Sequence, residues 1–97
     1  MTIHKKNEEN TLTIALEGRL DTNTSQELEA ELKELEGVKN LVFDLEKLEY
    51  ISSAGLRILL TCQKKMNLQG SMIVKNVNAD VKEVLDMTGF SDILTIE

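Results

Sequence analysis

With 97 residues, 41% of them hydrophobic but only 3% aromatic, the chain suits one domain with an aliphatic core and is too short for two. Its formal net charge of −6 opposes approach to phosphate backbones and anionic lipid, which argues against direct nucleic-acid binding and against a membrane-surface role. A single cysteine, Cys62, leaves no internal disulfide and no multi-cysteine metal cluster, so no metal or cofactor is expected and a reducing compartment suits the chain.

In chain order, "MTIHKKNEEN" has no apolar stretch of signal-peptide length, and no later run reaches the ~20 residues that span a bilayer. The cytoplasm is the expected location. Residues near Ile3 form a candidate first strand, with "NEEN" as the turn into a second, where "LTIAL" (residues 12–16) alternates at period two. The period then changes. Leu28, Leu32 and Leu35 recur at helical spacing, Thr24 and Glu27 have the spacing of a capping box, and Gly37 is placed to end that helix.

"LVFDL" (residues 41–45) reads as a short strand buried on both faces. A helix over residues 53–69 follows, closing at Gly70, and "SMIVK" is the next strand. Asn78 then caps a helix carrying Val81, Val84, Leu85 and Thr88 on one side, with Gly89 as its stop, before a last strand near "DILTI". The order β, β, α, β, α, β, α, β predicts a single α/β domain: a mixed, mostly parallel sheet with its first strand antiparallel and helices packed on it.

The stretch "YISSAGLRILL" (residues 50–60) places two hydroxyls, an alanine and a glycine between a strand and an apolar helix. Serine is a preferred N-cap, so one of Ser52 and Ser53 has an ordinary structural use. A nucleophile elbow would require glycine two residues before Ser53, where Ile51 stands, and the sole histidine, His4, lies far upstream. No "GxxxxGK" or "GxGxxG" phosphate loop is present, so catalysis by this chain is not expected. A third reading makes Ser53 a substrate, a hydroxyl at a helix N-terminus with Ala54 and Gly55 leaving room for an approaching kinase. Amide donors and the helix macrodipole favour a negative group there by ~0.3–1 kcal/mol.

At about 100° per residue, Gly55, Ile58, Leu59, Cys62 and Met66 gather on one stripe that should face the sheet, with Cys62 an inert packed thiol. Leu56 and Leu60 fall about 100° round from it, beside Ser53, with Arg57 and Lys64 alongside. Two readings stand for these leucines: packing under a neighbouring helix, or an exposed apolar strip on which a partner docks.

The junction "DLEKLEYISSAGLRILL" resembles the signature of the STAS domain, specifically of bacterial anti-sigma factor antagonists. "GRLDTNTSQELE" and "VKEVLDMTGFSDILTIE" are similar to the segments that flank it in that family, so the resemblance spans almost the whole chain. It implies a partner-switching cycle. The unphosphorylated antagonist binds an anti-sigma factor that is also a serine kinase, freeing the sigma factor; phosphorylation separates the pair, and a serine phosphatase resets it. On this resemblance the acceptor is Ser53, with Ser52 as the alternative because many antagonists carry aspartate where Ser52 stands. Asp21 and Thr24 match positions near the acceptor surface, though turn residue and N-cap are their more ordinary uses. Asp21, Thr24, Ser52, Ser53, Leu56, Arg57 and Leu60 are thus the candidate partner-binding residues. Position 54 is alanine where some relatives have a second hydroxyl, and several relatives continue into a final helix beyond the strand near residue 95. The low aromatic content favours a monomer. A STAS scaffold or transporter accessory subunit without phosphorylation, and a weak nucleotide-binding or hydrolytic protein, remain the competing functions.

Overall fold

In the computed structural model, which describes residues 1–97, the elements in chain order are β1 (Thr2–Glu8), β2 (Thr11–Leu20), α1 (Thr22–Glu31), β3 (Asn40–Ile51), α2 (Ser53–Gln69), β4 (Ser71–Lys75), α3 (Ala79–Met87) and a short 3₁₀ turn, Phe90–Asp92. The four strands form one sheet in sequential order, β1–β2–β3–β4. β1 and β2 form an antiparallel hairpin, while β2–β3 and β3–β4 are parallel. The mixed, mostly parallel α/β architecture expected from the pattern is the one observed.

Burial alternates along the strands. Leu12, Ile14 and Leu16 of β2, Leu41, Phe43 and Leu45 of β3, and Met72 and Val74 of β4 point to one face. They share a single core of 23 residues with Leu28 of α1, Leu59, Cys62 and Met66 of α2, and Val81 and Leu85 of α3. The opposite face carries Thr13, Ala15, Val42, Asp44 and Ile73, each only half-buried. The expectation that residues 41–45 are buried on both faces is therefore corrected. All three helices cover one side, so β3 is apolar on alternate residues only, and the half-buried Val42 made the run look continuous.

Three boundaries also differ from expectation. β3 runs on to Ile51 because its far half pairs with Glu17–Leu20 across two register shifts, which turn the period-two signal into the three-residue spacing of Leu45, Leu48 and Ile51. α1 starts at Thr22 with Asp21 as its N-cap, and its capping box joins Asp21 to Thr24 instead of Thr24 to Glu27. It ends at Glu31, well before Gly37. The segment after it folds inward on Leu35 and Val38, whose carbonyls accept hydrogen bonds from Gln69 Nε2 at 2.7 and 2.8 Å. That cross-chain partner satisfies backbone groups that a longer helix would have satisfied internally.

The last strand expected near "DILTI" reduces to one parallel bridge, Val74 to Ile96, beside the edge of β4. After Gly89 the chain spends Phe90–Asp92 in a 3₁₀ turn, which leaves only the final residues to reach the sheet. At the other end of α2, Gly70 is required by close approach: a Cβ there would strike the carbonyl oxygen of Lys39, which accepts from Ser71 N at 2.8 Å. The bounds of α2 and β4, and Asn78 as the N-cap of α3, are as the sequence predicts.

Candidate partner-docking and modification site

β2, β3 and β4 are parallel, so their C-terminal ends, and the N-termini of α1, α2 and α3 that follow them, lie along one edge of the sheet. The first two turns are locked together. Ser52 N donates to Leu20 O at 2.8 Å, which brings the Leu20–Asp21 turn beside the Ile51–Ser52 turn.

The two serines have separate uses. Ser52 has extended backbone, and its Oγ accepts from Gly55 N at 3.2 Å, making it the N-cap of α2. Ser53 is the first helical residue; its side chain is exposed and makes no hydrogen bond within the chain. A reactive hydroxyl must be free and reachable, and of the pair only Ser53 is both.

Asp21 and Thr24 hold each other. Asp21 Oδ1 accepts from the amides of Asn23 and Thr24 at 3.0 and 2.9 Å. Thr24 Oγ1 accepts from Asp21 N at 2.8 Å and donates to Arg19 O at 2.7 Å. The Thr24 amide, followed by its hydroxyl, keeps the Asp21 carboxyl below the usual carboxylate range. Their ordinary structural uses thus account for both side chains, while placing them next to the Ser52–Ser53 turn.

Two expectations about the small and apolar residues are corrected. Gly55 does not clear space for a partner. It is buried, and a Cβ there would come within 2.8 Å of Leu20 Cγ and Cδ2 and 3.0 Å of Ile51 Cγ1, so its smallness lets α2 start directly against the strand ends. Leu56 is only 5% exposed and belongs to the core, so it is not part of an exposed strip. Leu60 is half-buried and Arg57 exposed, and these two remain available on the surface. The reason is rotational: Leu56 stands closer to the sheet-facing stripe than Leu60 does, by about 40° at 100° per residue.

Sequence reading missed one pair. Arg19, near the end of β2, lies opposite Tyr50 of β3, with its guanidinium carbon 4.2 Å from the ring centroid. Tyr50 is 40% exposed, so a cation–aromatic pair flanks the Ser52–Ser53 turn at the surface. The only signal was that each residue shortly precedes a site turn; the pairing itself depends on the shifted β2–β3 register. Around the site, α2 contains Arg57, Lys64 and Lys65 and no acidic residue, in a chain that has 17 of them. The helix carrying Ser53 is thus a cationic element on an acidic domain.

A two-layer α/β domain with a capped, hydroxyl-bearing helix N-terminus at the C-terminal edge of its central strands is the STAS architecture, and the chain belongs to the STAS domain family, whose model matches residues 2–97. Among individual proteins it is similar to BtrV of Bordetella bronchiseptica, which carries the name anti-sigma factor antagonist: 35% identity over 88 residues, 88% of this chain and 76% of the relative. It is 30% identical over 100 residues to the anti-sigma F factor antagonist of Paenibacillus polymyxa, covering 99% of this chain and 86% of that one. Its fold superposes on unphosphorylated SpoIIAA, an anti-sigma factor antagonist, with a TM-score of 0.85 at 19% identity over 99% of this chain and 88% of the other. SpoIIAA in its phosphorylated form gives 0.78 at 18% identity, over 99% and 91%. At such identities the likeness is one of fold. No helix is long and apolar enough to cross a membrane.

Proposed function

We propose that the chain is an anti-sigma factor antagonist working as a phosphorylation-controlled partner switch, with Ser53 as the acceptor. Unphosphorylated, it binds an anti-sigma factor that is a serine kinase, and the displaced sigma factor is free to act. Transfer of the γ-phosphoryl group from ATP to Ser53 Oγ, with ADP as the leaving group and the hydroxyl proton passing to solvent or to a base of the kinase, releases the pair. A serine phosphatase restores the hydroxyl.

The observation that carries this reading is the division of labour between the serines: the cap is supplied by Ser52, and Ser53 is left exposed without an internal bond. The names of the relatives support the class of partner. A phosphate adds about −1.5 to −2 charges near neutral pH. At the first turn of α2 the free amides favour that charge by ~0.3–1 kcal/mol, and Arg57, at i+4 spacing, adds attraction of the same sign. The fold therefore tolerates the modification. A docked partner meets the opposite balance, because enclosing an unpaired dianion costs several kcal/mol and each ~1.4 kcal/mol is tenfold in affinity. The interface term is the larger, so binding switches while the domain stays folded. Arg19, Tyr50, Leu60 and Arg57 supply the surrounding contact surface.

The test is intact-mass and tandem mass spectrometry after incubation with candidate anti-sigma kinases and ATP. One phosphate on Ser53 is expected, and Ser52→Ala should still accept it. Ser53→Ala should bind the kinase and stay bound when ATP is added. Phosphate on Ser52 alone, or ATP-driven release of Ser53→Ala at the wild-type rate, refutes the assignment. No phosphate on either serine points to a scaffold.

A further inference from the structure

Between α1 and α2 runs a groove of about 330 Å³ that shares only Arg57 with the proposed switch surface. Its α2 lining runs from Arg57, about 40° round the helix from Ser53, to Cys62 at about 180°, at 100° per residue. Its lining is mixed: Leu32 from the end of α1 and Ala54, Ile58 and Cys62 from α2 supply the apolar part, with Thr22, Ser25, Gln26 and Thr61 as uncharged polar neighbours. The rim is cationic: Lys33, Arg57 and Lys65 stand around it against one carboxylate, Glu29. In a chain with 17 acidic and 11 basic residues this local excess runs against the global charge.

None of these four charged residues belongs to an ion pair. The cations are therefore not consumed by holding the helices together. The apolar lining and the rim also act oppositely on the Cys62 thiol. Burial raises it and the charge of Lys65 pulls it down, the balance standing at about 11. An apolar patch beside unpaired cations, in a groove at the small end of the ~300–1,000 Å³ typical of ligand sites, matches an apolar body carrying an anionic head.

We propose that the α1–α2 groove binds a small amphipathic anion, its apolar body against Ile58 and Cys62 and its carboxylate or phosphate head between Lys33, Arg57 and Lys65. The groove borders the switch surface only through Arg57; Lys33 and Lys65 have no part in the switch, so a test on those two keeps the readings separable.

Octanoate, octyl phosphate and octanol, which share the apolar body and differ in the head, are titrated into the intact ¹⁵N-labelled chain. Saturable one-to-one binding of at least one anion is expected, with amide shifts concentrated at Ala54, Ile58, Thr61 and Cys62, and with octanol weaker by about tenfold or more. Whichever anion binds identifies the head. A Lys33→Glu/Lys65→Glu variant alters exposed side chains only, so its spectrum should stay dispersed while anion affinity falls about tenfold. Octanol binding as tightly as the anions, shifts centred elsewhere, unchanged affinity in a folded double variant, or no saturable binding of either anion each overturns the proposal.

Discussion

Adjacent serines at a strand-to-helix junction are chemically identical in sequence, and one backbone hydrogen-bond geometry separates them. Ser52 points back to the Gly55 amide; Ser53, one step into the helix, points away. Gly55 is fixed by the same crowding. Alanine there gains ~1 kcal/mol of helix propensity, but its methyl would press on Leu20 and Ile51, both in the core, and overpacking costs ~1–3 kcal/mol. Gly55→Ala is therefore expected to be destabilised by about 1 kcal/mol in urea unfolding; an equal or higher midpoint would mean that the junction has room. Cys62 gives a pH signature. Burial lifts its thiol to about 11, so the native chain keeps a proton that the unfolded chain releases near ~8.5. This contribution is intact below ~8.5 and is lost as pH climbs toward the folded value. The stability difference between wild type and Cys62→Ala should shrink by roughly 3 kcal/mol from pH ~8 to ~11. A constant difference would place the thiol in water.

At the scale of the element, α2 is one helix with three working sides. Its inner stripe, Gly55, Leu59, Cys62 and Met66, anchors it to the sheet. One flank borders the anion groove and the other carries Ser53 and Leu60. Charge substitution distinguishes the core from the surface on that second flank. Leu56→Glu puts a carboxylate where only 5% of the residue is exposed, and should cost at least ~3 kcal/mol or prevent folding. Leu60→Glu, at a half-buried position, should melt within a few degrees of wild type and lose the kinase in a pull-down or by calorimetry. A stable Leu56→Glu, or a Leu60→Glu that binds normally, would reverse the assignment of sides.

For the molecule as a whole, the helices shield one sheet face, and the edge where three helices begin is the place that can gain charge without disturbing the core. Ser53→Asp tests that separation. Its circular dichroism and melting temperature should match wild type within a few degrees, because the N-terminus of α2 accommodates an anion, while affinity for the kinase drops. Loss of the folded signal together with binding would show that the junction supports the core after all.

Much of this was readable from residues alone, and the boundary follows the range of the forces. The alternation of β2, the run of α2 from Ser53 to Gln69, the Asn78 cap and the STAS resemblance of the serine junction all rest on patterns within short stretches of chain, which sequence spacing encodes directly. What needed tertiary structure depends on partners distant in the chain. The shifted register carries β3 to Ile51 and sets Arg19 over Tyr50, Gln69 closes the segment after α1, and Leu20 packs so closely on residue 55 that a Cβ there would force it to move. Which serine caps the helix is a three-residue contact whose choice sequence spacing left open, whereas which leucine of that helix faces solvent was decided by distant packing, because burial belongs to the packed chain and not to any one segment of it.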